Sequence, residues 1–179
     1  MDLEDMILTD EQSRLLWDRF YEEFNFKPGV SDVHSFDDQL PFEIKKPYIV
    51  YAIENMTEEQ INEMDKILKK SFSELTADGR KMYALDWQHT SYKYDPNIPC
   101  ETEEQWRNGQ FIKDESPWGG YTAYYPPFYP DGDYYFFIEE SFDFGTLGHP
   151  WRREIWLFGD ELIEKISPYA ESIGWVKIK

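Results

Sequence analysis

Near the start of the chain, Leu16, Trp17, Phe20, Tyr21 and Phe24 fall one turn apart on one face of a helix. Thr9 and Gln12 precede them in a capping-box pattern, in which hydroxyl and amide satisfy orphan backbone N–H groups reciprocally. Pro28-Gly29 stops the helix. Tyr48 to Ile53 is a dense run of β-forming residues and reads as a core strand. Thr57 and Gln60 repeat the capping box ahead of Ile61, Met64, Leu68, Phe72 and Leu75, spaced by threes and fours. The other face of this second helix carries Glu59, Glu63, Lys66, Lys69 and Lys70, and Ala77-Asp78-Gly79 ends it.

From Lys81 to Tyr94 the alternation of Tyr83, Leu85 and Trp87, resumed by Tyr92 and Tyr94 in a shifted register, predicts one long strand with a bulge at Thr90-Ser91. A helical turn through Trp106 and a strand over Tyr121–Tyr125, closed by Pro126-Pro127, follow. Pro130-Asp131-Gly132-Asp133 is a turn signal. Beyond it lie a strand at Tyr134–Ile138, a Gly-rich loop at Phe142–Pro150 and a strand at Glu154–Phe158, the two strands pairing across the loop. Gly159-Asp160 opens a third helix through Ile166, and Trp175–Ile178 forms a last short strand. Helices and strands do not alternate regularly, as a parallel doubly wound sheet would require. The expected fold is α+β, a mainly antiparallel or mixed sheet with about three helices packed largely on one face. Repeats and dividing linkers are lacking, so residues 1–179 read as one domain.

Composition changes this picture in two ways. Aromatic residues make up 18% of the chain, well above the usual share, and must fill much of the core. Lys and Arg number 18 against 36 Asp and Glu, a net charge of −18. Such a field repels nucleic acid and anionic lipid and favours a basic protein partner; keeping an aromatic-rich chain soluble is the simpler purpose it serves. A single cysteine, Cys100, excludes an internal disulfide, and the chain has neither a signal-peptide pattern nor an apolar run long enough for a bilayer. A cytoplasmic protein is expected. Its oligomeric state is not encoded in any of these features.

Catalytic motifs are scarce. Asp131-Gly132-Asp133 lacks the alternate oxygen ligands and closing Glu of a calcium loop, since Tyr135 and Phe137 stand where ligands belong. His34, His89 and His149 are too scattered for a zinc pattern, so neither metal nor cofactor is expected. Cys100 sits among acids that raise its pKa, and neither a nucleophile elbow nor a P-loop is present. Asp143-Phe144-Gly145 matches a kinase tripeptide without the companion motifs. The expectation is a binding protein and not an enzyme. His149-Pro150-Trp151 is the most unusual local feature: a rigid corner, or else part of a pocket or contact surface. Tyrosines between Tyr121 and Tyr129, interleaved with Pro126 and Pro127, form either an exposed loop or a packed edge.

Three runs carry a resemblance: Gly132-Asp133-Tyr134-Tyr135-Phe136-Phe137-Ile138, Phe144-Gly145-Thr146-Leu147-Gly148-His149-Pro150-Trp151 and Trp156-Leu157-Phe158-Gly159-Asp160-Glu161-Leu162. With Trp17-Asp18-Arg19-Phe20-Tyr21-Glu22-Glu23-Phe24-Asn25-Phe26-Lys27-Pro28, they make most of the chain resemble a Bacillus-type family of uncharacterised proteins. Some members of that family are prophage-encoded immunity proteins to LXG polymorphic toxins. The resemblance implies an immunity or antitoxin protein that neutralises a cognate, basic, nuclease-type toxin by direct contact. Acidic residues facing such a partner are expected at Glu101, Glu103 and Glu104, at Asp131 and Asp133, and at Glu139, Glu140 and Asp143, with His149 and Trp151 as aromatic contacts. Two other readings stay open. One is a small enzyme or ligand-binding domain with a pocket near His149 and Trp151; the other is a phage-type DNA mimic, with carboxylates at phosphate spacing.

Overall fold

A computed structural model describes residues 4–28, 40–87, 89–98, 112–113, 122–123 and 125–179. Both capping boxes form. Helix α1 (Asp10–Phe24) starts at Thr9 and helix α2 (Glu58–Leu75) at Thr57, each Thr side chain accepting from the backbone of the Gln three residues on. Asn25, in the left-handed region at φ 43°, ends α1 ahead of Pro28. Helix α3 (Asp160–Ile166) follows Gly159, whose φ of 90° suits glycine, and Pro168 lies in the short 3-10 turn after it.

The strands in chain order are β1 (Tyr48–Ala52), β2 (Met82–Asp86), β3 (Ser91–Tyr94), β4 (Ile112–Lys113), β5 (Thr122–Ala123), β6 (Tyr135–Glu139), β7 (Gly145–His149), β8 (Glu154–Phe158) and β9 (Val176–Lys177). Seven of them form one sheet in the order β3-β2-β6-β7-β8-β1-β9, and β4 pairs with β5 apart from it. Every neighbouring pair is antiparallel. The fold is therefore α+β, as the pattern predicts.

The helices divide between the faces. Buried residues of α2 and α3 (Met64, Leu68, Phe72, Leu162, Ile166) meet Tyr51, Ala84, Tyr135, Phe137, Ile155 and Leu157 on one side of the sheet. On the other side, Leu16, Phe20 and Phe24 of α1 meet Val50, Leu85, Phe136, Leu147, Trp156 and Phe158. Of the three helices among the described residues, two share a face, and α1 covers the opposite one. All five positions of β6, β7 and β8 are buried in consequence, which fits the apolar runs Tyr135–Ile138 and Ile155–Phe158.

Two expectations need correction. Lys81–Tyr94 is not one bulged strand but the hairpin β2–β3, with Met82 opposite Tyr94 and Leu85 opposite Ser91. The shift of register that suggested a bulge is the reversal of the chain. Phe142–Pro150 is not simply a loop: its second half is β7, which lies between β6 and β8 and separates the two strands expected to pair. Its glycines are required by close packing. A Cβ on Gly145 would lie 2.4 Å from the Phe137 carbonyl oxygen, and one on Gly148 would lie 3.0 Å from that of Tyr135. The expected turn at Trp106 and Cys100 lie outside the described residues.

Candidate functional site

Strand register gathers several polar side chains at one end of the sheet. Asp86 ends β2 opposite Tyr135 at the start of β6, and His149 ends β7 opposite Glu154 at the start of β8. The turn containing Asp131 and Asp133 leads into β6, and the turn containing Trp151 joins β7 to β8. Four of the expected contact residues, Asp131, Asp133, His149 and Trp151, thus belong to segments that meet at the same end.

Asp86 is only 1% exposed. Its Oδ1 lies 3.0 Å from Nδ1 of His89, whose backbone N–H donates to the Asp86 carbonyl at 3.1 Å. The same Nδ1 is 3.5 Å from Oδ2 of Asp133, and Oδ1 of Asp133 accepts from the Tyr134 N–H at 2.7 Å. Burial pushes the Asp86 carboxyl up to about 6, opposed by the hydrogen bond to His89 and reinforced by the charge of Asp133 and Asp131. Burial also raises the Asp133 carboxyl and the Tyr134 hydroxyl, the latter with help from the charge of Asp133.

His149 is fully buried, and its surroundings fix its tautomer. Nδ1 accepts from the Arg152 N–H at 3.3 Å, which puts the proton on Nε2, 3.4 Å from the Tyr134 hydroxyl oxygen. That hydroxyl donates in turn to the Pro28 carbonyl at 2.8 Å. Phe42, Tyr134 and Trp151 surround the imidazole with edge-on contacts at 6.3, 4.7 and 6.2 Å between ring centres. His149 is the buried hinge of a rigid corner and does not present its ring to a partner.

Trp151 is different. It is 49% exposed yet fixed, its ring set edge-on to Tyr134 at 5.0 Å. Asp131 is exposed on the preceding turn and Asp133 is half-buried. Two arginines share this end: Arg152 donates to Glu154 Oε2 at 3.0 Å, and Arg153 is exposed. Trp156 Nε1 donates to the same Glu154 oxygen at 3.0 Å.

The remaining acids lie elsewhere. Glu139, at the far end of β6, is fully buried, and its Oε2 accepts from the N–H groups of Ser141 at 2.9 Å and Asp143 at 3.3 Å. It caps a turn and cannot offer its charge to a partner. Glu140 holds Lys93 at 2.8 Å, an interaction that keeps its carboxyl below the ordinary range, and exposed Asp143 holds Lys46 at 2.6 Å. Arg19 spans the same turn, donating to the carbonyls of Glu140 and Ser141 and lying 3.9 Å from the centre of the Phe142 ring. The acids at this end are answered by the protein's own cations. Glu101, Glu103 and Glu104 lie outside the described residues.

Surface depressions among the described residues include two of moderate size. One, of about 280 Å³, is lined by Glu22, Glu23, Phe42, Glu43 and Tyr48. The other, of about 430 Å³, sets Lys66, Lys70 and Lys165 against Glu63, Glu74 and Glu164 between α2 and α3. Neither is lined by His149 or Trp151. Among the described residues no helix is long and apolar enough to cross a membrane.

The grouping of His89 with Asp86 and Asp133 escaped the sequence reading, which compared histidines only with one another. A signal existed in the Asp86-x-x-His89 spacing. It gains meaning only once Lys81–Tyr94 is seen as a hairpin, whose turn brings the imidazole back onto the strand end.

A family model described as "Protein of unknown function (DUF2716)" matches residues 7–163. The chain is also similar to the uncharacterized protein YxiI of Bacillus subtilis (strain 168), with 29% identity over 162 residues, covering 89% of this chain and 90% of that one. No solved structure matches.

Proposed function

The chain belongs to the DUF2716 family, and we propose that it is an acidic binding protein, an immunity or antitoxin protein that neutralises a basic, nuclease-type toxin by direct contact. The observation that carries this reading is the rigid, half-exposed Trp151 beside the acidic turn at Asp131 and Asp133. Binding energy at protein interfaces concentrates in a few well-fixed aromatic anchors, with charged neighbours setting encounter rate and partner choice. Toxins that cleave nucleic acid carry basic surfaces to hold phosphates, and a chain of net charge −18 is drawn to such a surface. The acids around Glu140 and Asp143 support this choice by contrast, because Lys93 and Lys46 already occupy them. In this reading the protein acts in the cytoplasm and uses neither a catalytic group nor a cofactor.

The test uses the product of the neighbouring gene as ligand. It should co-purify with the full chain, and co-expression should rescue cells that the toxin alone kills. Trp151→Ala should weaken binding by roughly 30-fold or more, the scale of a hot-spot residue, with little change in melting temperature. Asp131→Asn should slow association at low salt, whereas Asp143→Asn should leave it unchanged. Failure of both co-purification and rescue would overturn the reading. A Trp151→Ala variant that binds normally would move the interface elsewhere and remove its main support.

A further inference from the structure

We propose that Asp86, His89 and Asp133 form a binding site for one divalent transition-metal ion of the zinc class. Their donor atoms, two carboxylate oxygens and one imidazole nitrogen, all lie within 4.8 Å of one another. The separations from His89 Nδ1 are 3.0 Å to Asp86 Oδ1 and 3.5 Å to Asp133 Oδ2. Zinc bonds nitrogen and carboxylate oxygen at about 2.0–2.2 Å, which places tetrahedral neighbours roughly 3.4 Å apart. Both separations from His89 therefore lie within about 0.4 Å of the spacing a tetrahedral ion requires.

The supports of these side chains are those a metal site needs. Asp86 is held by its ladder register in β2. Asp133 commits Oδ1 to the Tyr134 N–H and so aims Oδ2 at the imidazole. His89 is anchored through its backbone N–H to the Asp86 carbonyl. Orientation of ligands by such outer bonds is a general property of metal centres. Two carboxylates and a neutral imidazole balance the charge of a divalent ion, which matters where Asp86 is buried. The imidazole donor favours zinc-class ions over magnesium or calcium, which prefer an all-oxygen shell. The His89 side chain is 41% exposed, so the site faces solvent on that side and a water can complete the coordination. A bound ion would tie the β2–β3 turn to the turn before β6, two segments otherwise distant in the chain.

The experiment requires no partner protein and is separate from the toxin test in outcome. The full chain, stripped with chelator and dialysed, is titrated with Zn²⁺ by calorimetry. One saturable site per chain is expected, with a melting temperature that rises with Zn²⁺ concentration. His89→Ala and Asp133→Asn, checked for folding by circular dichroism, should each weaken binding at least tenfold. Asp143→Asn, at the opposite end of the sheet, should bind as the native protein does. In the native protein itself, Zn²⁺ should shift the ¹⁵N resonance of His89 Nδ1. The proposal falls if Zn²⁺ binds His89→Ala and Asp133→Asn as tightly as the native chain, if binding is spread over several weak sites, or if the His89 resonance does not move.

Discussion

Glu139 shows how much a single side chain can hold in place. Its Oε2 serves two backbone N–H groups, while Oε1 is buried with no hydrogen-bond partner among the described residues. Removing the carboxyl takes the acceptor from both N–H groups, and a hydrogen bond to a charged group contributes on the order of 1.5–3 kcal/mol. Glu139→Ala should therefore lower unfolding free energy by about 2–4 kcal/mol in urea denaturation. Glu139→Gln keeps an oxygen for the turn and buries no charge, so it should cost less than Glu139→Ala. The reverse ranking would show that the negative charge itself, near Arg80, matters more than the turn bonds. None of this is legible in the sequence. Glu139 and Glu140 are adjacent and identical, yet Glu139 ends the buried strand β6 while Glu140 lies in the turn beyond it and meets Lys93.

Among the elements, those set by local chemistry were readable and those set by partners were not. The two capping boxes and the apolar spacing of α1 and α2 act within a few residues, so Thr9, Thr57 and their Gln partners announced both helices. Strand β7 is different, because Gly145-Thr146-Leu147-Gly148 has loop composition and becomes a strand only between β6 and β8. Glycine is demanded there by neighbours more than 7 residues away in the chain, with the Phe137 carbonyl filling the space of a side chain. Gly145→Ala should thus destabilise by about 3 kcal/mol or yield insoluble protein, since backbone cannot yield as a side-chain tip does. Gly132→Ala, with nothing within 4 Å of its Cβ position, should leave the melting temperature within a degree or two. Equal effects of the two substitutions would contradict this account of β7. The aromatic share also finds its place at this scale. Phe20 stacks on Phe136 at 4.7 Å, Phe26 meets Tyr134 edge-on at 4.9 Å, and Phe42 meets Trp156 at 5.5 Å, building the layer between α1 and the sheet.

For the whole molecule the controlling quantity is charge. Self-repulsion at −18 opposes the compact state and weakens as pH falls toward the sequence pI of about 4.4. Several carboxyls act in the opposite sense at lower pH, among them Asp95 and Glu140, which are held below the ordinary range by Lys81 and Lys93. A lowered native pKa contributes stability that is complete above the ordinary carboxylate value and is lost as pH falls through the lowered one. Melting temperature should accordingly rise from pH 7.5 to about pH 5 and fall below about pH 4. Added salt should raise it most at pH 7.5. Lys81→Met should be less stable than the native chain at pH 7 and lose that difference below pH 3, as followed by circular dichroism of dilute protein. A melting temperature that declines steadily from pH 7.5 downward would mean that the ion pairs outweigh the net charge throughout.

The order of strands sets a timetable for synthesis. β1 lies between β8 and β9, so Tyr48 must wait for Phe158, about 110 residues later, before its backbone finds a partner. At roughly 5–20 residues per second, a ribosome leaves that strand alone for on the order of ten seconds. α2 crosses one face to β2, which can meet β3 early but waits for β6 on its other side. A nascent chain interrupted before residue 135 thus holds well-capped helices and almost no sheet, a species suited to chaperones and proteases and unable to present Trp151 in any form.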